Sequence, residues 1–384
     1  MLPRMSQTLA EVTALLEQLA PLHLSEEWDN TGLLLEPPGA AARPIERAFL
    51  CVDLTEIVLD EALERGADFL IAYHPPLFRG LKRLRASRAE ERVLLRALTA
   101  GLSVYSPHTA LDAAAGGVND WLARAFGSGR CTPLVTPPAA TTLDEFKLVV
   151  FVPRAALGAL RGALSRELGA GTIGNYTECS FELDGQGSFF GNEAADPRVG
   201  KRGNLEFVAE TRLEMRCPAA ARRDLARVIA AHHPYEEPAW DLYPLAAPSR
   251  TDVGAGRLLE LETPISLGEA VARLKTHLAL RTLRVGTAGT HAAGAPIRRI
   301  AVCAGAGGSL FDRAGAGAEL FVTGEMRHHD VLAKLRAGSS VILSEHTHTE
   351  RGYLPEFAGR LASLSEGRLA VLVSERDADP LRTV

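Results

Sequence analysis

The spacing of apolar positions changes several times along the chain, and each change marks a different element. In the opening stretch, "MLPRMSQTLAEVTALLEQL", apolar residues recur at helical intervals and are interrupted by Glu11 and Glu17. That is an amphipathic helix rather than the unbroken apolar stretch of a signal sequence. Residues 49–80 read strand, helix, strand, loop: "AFLCVDL" is a short apolar run, "EIVLDEALERG" has helical spacing and stops on Gly66, and "ADFLIAY" is a second buried strand. The stretch "IAVCAGAGGSLFDRAGAGAELFVTGEMRHHDVL", 300–332, begins a second unit of the same kind. Both units place a Gly-Ala-acid triplet, Gly66-Ala67-Asp68 and Gly317-Ala318-Glu319, before an apolar strand. Further on, "GLSVYSPHT" (101–109) matches "GSSVILSEHT" (338–347) with one residue inserted.

These echoes predict an α/β protein of two similar lobes, residues 1–144 and 251–384, related by a pseudo-twofold axis. Open parallel sheets bind ligands beyond the carboxyl ends of their strands, so the junction of the lobes is where chemistry is expected. Between them the texture changes. "GSGRCTPLVTPPAATTLDE", 127–145, is rich in Gly, Pro and Thr and reads as a linker. Then "FKLVVFVP" is a strand, "RAALGALRGALSREL" a helix, "NLEFVAETRLEMRCP" strand-like, "AARRDLARVIAAHH" a helix and "PAWDLYPL" a closing strand. This predicts an inserted ferredoxin-like α+β domain over 145–250, with "APSRTDVGAG", 247–256, as its exit linker.

Composition narrows the function classes. The chain has 384 residues, enough for two or three domains, with 46% hydrophobic and 23% charged residues, as in ordinary globular proteins. A net charge of −5 provides no basic footprint for nucleic acid, and binding to DNA would show a steep loss of affinity with salt. No run reaches the roughly 18 apolar residues of a membrane helix, which predicts a soluble, cytoplasmic protein. Five widely spaced cysteines without a CxxC pair argue against a disulfide scaffold or zinc ribbon and fit a reducing compartment.

The candidate chemistry lies in the loops after the matched strands. The first half offers His74, beside Tyr73 in "IAYHPPLF", then His108 and Asp112 in "YSPHTALDAAAGGVND". The second offers Glu325, His328 and His329 in "TGEMRHHD", then His346, His348 and Glu350 in "SEHTHTERG". His346 and Glu350 are four apart, which in a helical turn puts both on one face. An HxxxE pair alone is more often a helix-surface contact. Here it follows an apolar strand, and two imidazoles with two carboxylates suit Zn, Fe or Mn. His108 reads equally as a backbone-bonded residue or as a support for a ligand, and His329 as a weak proton-transfer candidate. "AGAGGSL", 304–310, lacks the lysine of a phosphate loop and reads as a tight strand-to-helix turn. "AHHPYEEPAW", 231–240, groups two histidines and two glutamates, but Pro234 and Pro238 stiffen it and it reads first as a loop and interface motif. No GxSxG motif occurs, so a nucleophilic triad has no support.

At these residues the chain resembles the NIF-three-like family of dinuclear-metal-centre hexameric proteins, often described as GTP cyclohydrolase 1 type 2 homologues. The resemblance rests on "EEWDNTGLLLE", "YHPPLF", "YSPHTALDAAAGGVNDWLA", "VCAGAGGSL", "VTGEMRHHDVL" and "SEHTHTERG", in order along nearly the whole chain. The middle unit, with "HHPYEEPAWDLYPL", looks like the CutA- or PII-like insert of the longer bacterial members. The resemblance implies a toroidal homohexamer with a two-metal site whose ligands fall on His74, Asp112, His346 and Glu350. The family usually has His-His-Pro where this chain has Tyr73-His74-Pro75. Three arrangements follow: Tyr73 as a phenolate ligand to a strongly acidic metal, water in the vacant position, or a mononuclear centre. The reading adopted is one tightly held divalent ion and a second, weak or vacant position. The activity so implied is a metal-dependent hydrolase of the cyclohydrolase or amidohydrolase kind, with Asp112 the bridge if two ions bind and His329 or His108 moving the proton. The alternative is a non-enzymatic metal-stabilised scaffold or regulatory protein.

Overall fold

A computed structural model describes residues 6–136, 145–245, 251–314 and 317–382. The chain forms two compact units, one of Met1–Pro137 with Arg250–Val384 and one of Pro138–Ser249. No helix among the described residues is long and apolar enough to cross a membrane.

The first unit is a mixed α/β structure with two sheets. One runs in the order Gly32–Leu35, Ser103–Ser106, Phe69–Ala72, Arg47–Cys51, Ala370–Val373. The other runs Arg284–Gly286, Ser340–Leu343, Leu320–Thr323, Ile297–Cys303, Arg257–Ile265, Gly129–Thr132. Each contains three successive parallel strands and one antiparallel strand beside the third of them. The four-residue strands Phe69–Ala72, Ser103–Ser106, Leu320–Thr323 and Ser340–Leu343 are buried throughout, as expected of central parallel strands. The sheets share one apolar core, with Leu50, Phe69 and Ile71 from the first and Ile300, Val322 and Ile342 from the second. Helices Val118–Ala123 and Leu354–Leu364 add Trp121, Leu122, Phe357 and Leu361. Each such side chain contributes about 1.5–3 kcal/mol on burial, which holds the loops at the strand ends to a rigid base.

The N-terminal pattern becomes helix Leu9–Leu19, started by a capping box in which Thr8 and Glu11 satisfy each other's backbone amides. Two features differ from the sequence reading. The supposed linker contains strand Gly129–Thr132, which pairs with Arg257–Ile265 in the second sheet. Its Gly and Thr content reads as loop, but an edge strand needs only backbone partners. Strand Ala370–Val373, from the far end of the chain, pairs in parallel with Arg47–Cys51 in the first sheet. Neither sheet is therefore built from one contiguous half. The exit reading spans 247–256, of which 247–250 lie outside the described residues; in the described part Val253 is buried, and the Gly254 amide donates to the Ala113 carbonyl.

The second unit runs Glu145–Val152, helix Arg154–Leu168, Phe181–Phe190, Leu205–Pro218, helix Leu225–His232, Trp240–Pro244. Numbering its strands one to four along the chain, the sheet order is two, three, one, four, all antiparallel. This is the ferredoxin-like arrangement. Its core joins Leu148 and Val150 to Leu160, Leu164, Val228 and Ile229. Helix Arg154–Leu168 ends at Gly169, whose φ of 66° forms a left-handed cap.

Candidate metal centre

The loops after the central strands bring His74, His346 and Glu350 together, with one donor atom from each within 4.8 Å of the others. His74 follows strand Phe69–Ala72; His346 and Glu350 follow Ser340–Leu343. His74 Nε2 lies 3.3 Å from Glu350 Oε2, and His346 Nε2 lies 3.4 Å from Glu350 Oε1. Donors around a tetrahedral ion with bonds of about 2.1 Å stand about 3.4 Å apart, so the spacing suits a shared cation. Glu350 is 3% exposed, and its Oε2 accepts no hydrogen bond from the described residues. A buried carboxylate oxygen left bare is costly unless a cation or proton meets it.

Backbone geometry prepares this cluster. Gly305 has φ of 63°, and a Cβ there would lie 2.8 Å from Glu350 Oε1 and 3.1 Å from His346 Nε2. Gly324 touches two loops at once, since its Cβ would meet the carbonyls of Gly305 and Glu345 at 2.7 Å. Glu345, just before His346, holds φ of 66°, a strained left-handed conformation for a non-glycine. Two buried threonines tie the loops: Thr349 Oγ1 accepts from the Gly305 amide (2.8 Å) and donates to the His346 carbonyl (2.6 Å). Thr323 Oγ1 accepts from the Gly307 amide and donates to the Gly305 carbonyl. The 304–310 segment is a strand-to-helix turn, with helix Gly308–Ala314 following it.

Carboxylates orient the histidines. Asp53 Oδ1 lies 2.9 Å from His74 Nδ1, leaving Nε2 for the cluster. Burial by itself would lower the His74 pKa, but contacts with Glu350 and Asp53 outweigh it and push the value up to about 10. Asp29 Oδ1 lies 2.8 Å from His108 Nδ1, and Asp29 Oδ2 accepts from the Thr109 amide. The His74 ring centroid is 5.4 Å from those of both His108 and His346.

Asp112 lies in the same neighbourhood but outside the three-donor group. Its Oδ1 accepts a short hydrogen bond from the Tyr73 hydroxyl. Burial pushes the Asp112 carboxyl up to about 6 against the opposing pull of His108, Tyr73 and His74. Tyr73 is fully buried, and burial together with Asp112 and Glu350 pushes its phenol well above the ordinary range. It is therefore a hydrogen-bond donor at neutral pH. His329 and its neighbour His328 are exposed at the start of helix His328–Arg336, with rings 5.5 Å apart. No hydrogen bond or ion pair among the described residues joins His329 to the donors. Glu325 Oε2 approaches His346 Nδ1 at 3.5 Å, and His348 Nδ1 bonds the Ser344 carbonyl.

Sequence reasoning passed over Asp29, Asp53 and Asn119. Asn119 is buried; its Nδ2 donates to the Asp112 carbonyl and its Oδ1 accepts from the Ala304 amide, linking the two sets of loops. A signal existed for Asp53, an acid at the carboxyl end of a buried strand. None existed for Asn119, whose partners lie up to 185 residues away.

A family model, Duf34/NIF3 (NGG1p interacting factor 3), matches residues 7–380. The chain belongs to the NIF3 family. Among its relatives, NIF3-like protein 1 of Mus musculus is 35% identical over 390 residues, covering 99% of this chain and 95% of that protein. The GTP cyclohydrolase 1 type 2 homolog of Halalkalibacterium halodurans is 37% identical over 337 residues, covering 87% of each. A Bacillus cereus protein related to NIF3 has a solved structure with TM-score 0.74 and 30% identity, covering 98% of this chain and 99% of that one. The family resemblance read from the motifs is thus borne out, as is the mixed α/β fold.

Proposed function

We propose that this NIF3-family protein is a metal-dependent hydrolase of the cyclohydrolase or amidohydrolase kind, acting at the cluster between the two sets of loops. The observation that carries the reading is Glu350, buried with a bare oxygen between two imidazoles aimed at it. His74, His346 and Glu350 would hold a divalent ion, Zn, Fe or Mn, with Asp112 as the further ligand. When bound, such an ion supplies Lewis-acid activation of water, lowering its pKa from 15.7 towards about 7.

The chain's own residues supply the rest. Asp53 fixes the His74 ring so that Nε2 faces the cluster. Glu350 offsets cation charge. Tyr73, kept protonated, holds Asp112 Oδ1 by hydrogen bond, which favours one tight ion and a second, weak or vacant position. His108, oriented by Asp29 and packed edge-on to His74, is the group placed to move a proton. The name of the bacterial relative suggests GTP or a related heterocycle as substrate.

The test is metal analysis of the purified protein, followed by a turnover screen with GTP, cyclic amides and phosphoesters in Mn, Fe or Zn. Metal-dependent turnover lost in His74→Ala supports the hydrolase. Bound metal with no turnover across the screen favours the scaffold reading, and absence of stoichiometric metal sinks both. The same reading carries a homohexamer, so light scattering is expected to find six times the 41.1 kDa chain mass.

A further inference from the structure

One cavity is lined entirely by residues of the second unit. It measures about 610 Å³, within the range of small-molecule sites. Its floor includes strand Phe181–Phe190, whose alternation puts Leu183, Gly185, Gly187 and Phe189 on one face. The two glycines leave a flat trough between Leu183 and Phe189. A Cβ on Gly185 would meet nothing within 4 Å, so the space above it is open. A Cβ on Gly187 would lie 2.1 Å from Glu210 Oε2, so the Glu210 carboxylate sits directly on the second glycine. The trough therefore has an open planar end and an acidic end.

The walls come from the connection between Phe181–Phe190 and Leu205–Pro218 and from the segment before Trp240–Pro244. They meet where the Asp196 amide donates to Glu236 Oε1 at 3.0 Å. The charge lining the cavity is unbalanced: five carboxylates (Asp184, Asp196, Glu210, Glu236, Glu237) face two guanidiniums. One of those, Arg212, already donates to Glu214 Oε1 at 2.9 Å and lies over the Phe151 ring. Asp184 pairs with Arg154 at 3.0 Å and Asp196 with Arg202 at 3.7 Å, which leaves Glu210, Glu236 and Glu237 without an ion pair among the described residues, a set that opposes an anionic ligand and suits a cation.

We infer that this cavity is a binding site for a planar aromatic small molecule carrying a positive charge or amino group, its ring over Gly185 and its charged edge against Glu210. The inference is independent of the hydrolase reading, because every residue it uses lies in the second unit.

The test titrates proflavine, a planar aromatic cation, into the full-length protein by fluorescence anisotropy, with the anionic dye anilinonaphthalene sulfonate as comparison. Saturable proflavine binding is expected, with weak or no binding of the anion. Gly185→Leu, which fills the trough from an open position, and Glu210→Gln, which removes its charge, are each expected to weaken proflavine by about tenfold or more. Circular dichroism and metal content like those of the parent protein show that the variants are folded. The inference is overturned if the parent protein fails to saturate with proflavine, if the anion binds as well, or if folded variants bind within twofold of the parent.

Discussion

Two regions of this protein concentrate histidine and glutamate, and they put them to opposite use. In the 231–240 segment each histidine finds a local partner. His233 Nε2 donates to the Phe151 carbonyl, and its Nδ1 accepts from the Tyr235 amide. His232 Nε2 approaches Glu167 at 3.2 Å. In the candidate metal centre the imidazoles are oriented by carboxylates on one side, while the other side faces a buried oxygen that has no hydrogen-bond partner among the described residues. Density of metal-ligating residue types is therefore a poor guide. What separates ligand from scaffold is whether hydrogen bonding is complete, since a satisfied buried group has nothing left to offer a cation.

The strongest way to break this comparison is to remove the bare oxygen. Glu350→Ala is expected to lower metal affinity by more than about 100-fold, whereas His233→Ala leaves metal content unchanged; mass spectrometry of dialysed protein reads both. Equal loss in the two variants would show that the cluster has no special standing. Next in size are the residues that shape the centre without entering it. Asp53→Asn, which loosens the His74 ring, and Gly305→Ala, which places a methyl 2.8 Å from Glu350, are each expected to weaken metal binding by about 10–100-fold. Competition with a colorimetric chelator measures this, and unaltered affinity in both would remove the preorganisation argument.

Tyr73→His sharpens the comparison from the other side by adding an imidazole beside His74. An increase in bound metal per chain is expected, and an unchanged ratio would assign the second position to some cause other than Tyr73. A smaller effect concerns pH. Asp112 titrates near 6 when folded and near 3.8 as a free side chain, so the folded state holds its proton more tightly. The stability this provides in the metal-free protein is full below about pH 4 and is lost as pH rises through about 6. Chemical denaturation should show the loss, of order 1–3 kcal/mol, and Asp112→Asn should flatten it. The smallest effect is on stability alone. His233→Ala leaves the Phe151 carbonyl without its donor, and a cost of about 1–3 kcal/mol is expected in the same denaturation experiment.

Much of the fold could be read from local pattern. Helix Arg154–Leu168 coincides with its apolar spacing and its glycine stop, and the buried strands after Gly66 and Gly317 follow from continuous apolar runs. Strand Phe181–Phe190 was harder. Asp184, Gly185, Gln186, Gly187 and Ser188 dilute its apolar signal, and only pairing along Leu205–Pro218 holds it extended. Helical spacing also explains the 346–350 pair only in part. His346 precedes the short helix His348–Arg351, and the left-handed turn at Glu345 helps bring its ring onto Glu350.

By itself, the amino-acid order determined the alternation of strands and helices, the inserted ferredoxin-like unit and the residue types available at the strand ends, because spacing and turn chemistry act over a few residues. Only tertiary structure decided which strands crossed between the sheets, and that Asp53, Asp29 and Asn119 support the centre. It also decided that Glu350 rather than the 231–240 histidines keeps an unsatisfied atom, a carboxylate oxygen. Those outcomes depend on burial and on partners brought together by a shared core, and neither quantity exists until the chain has folded.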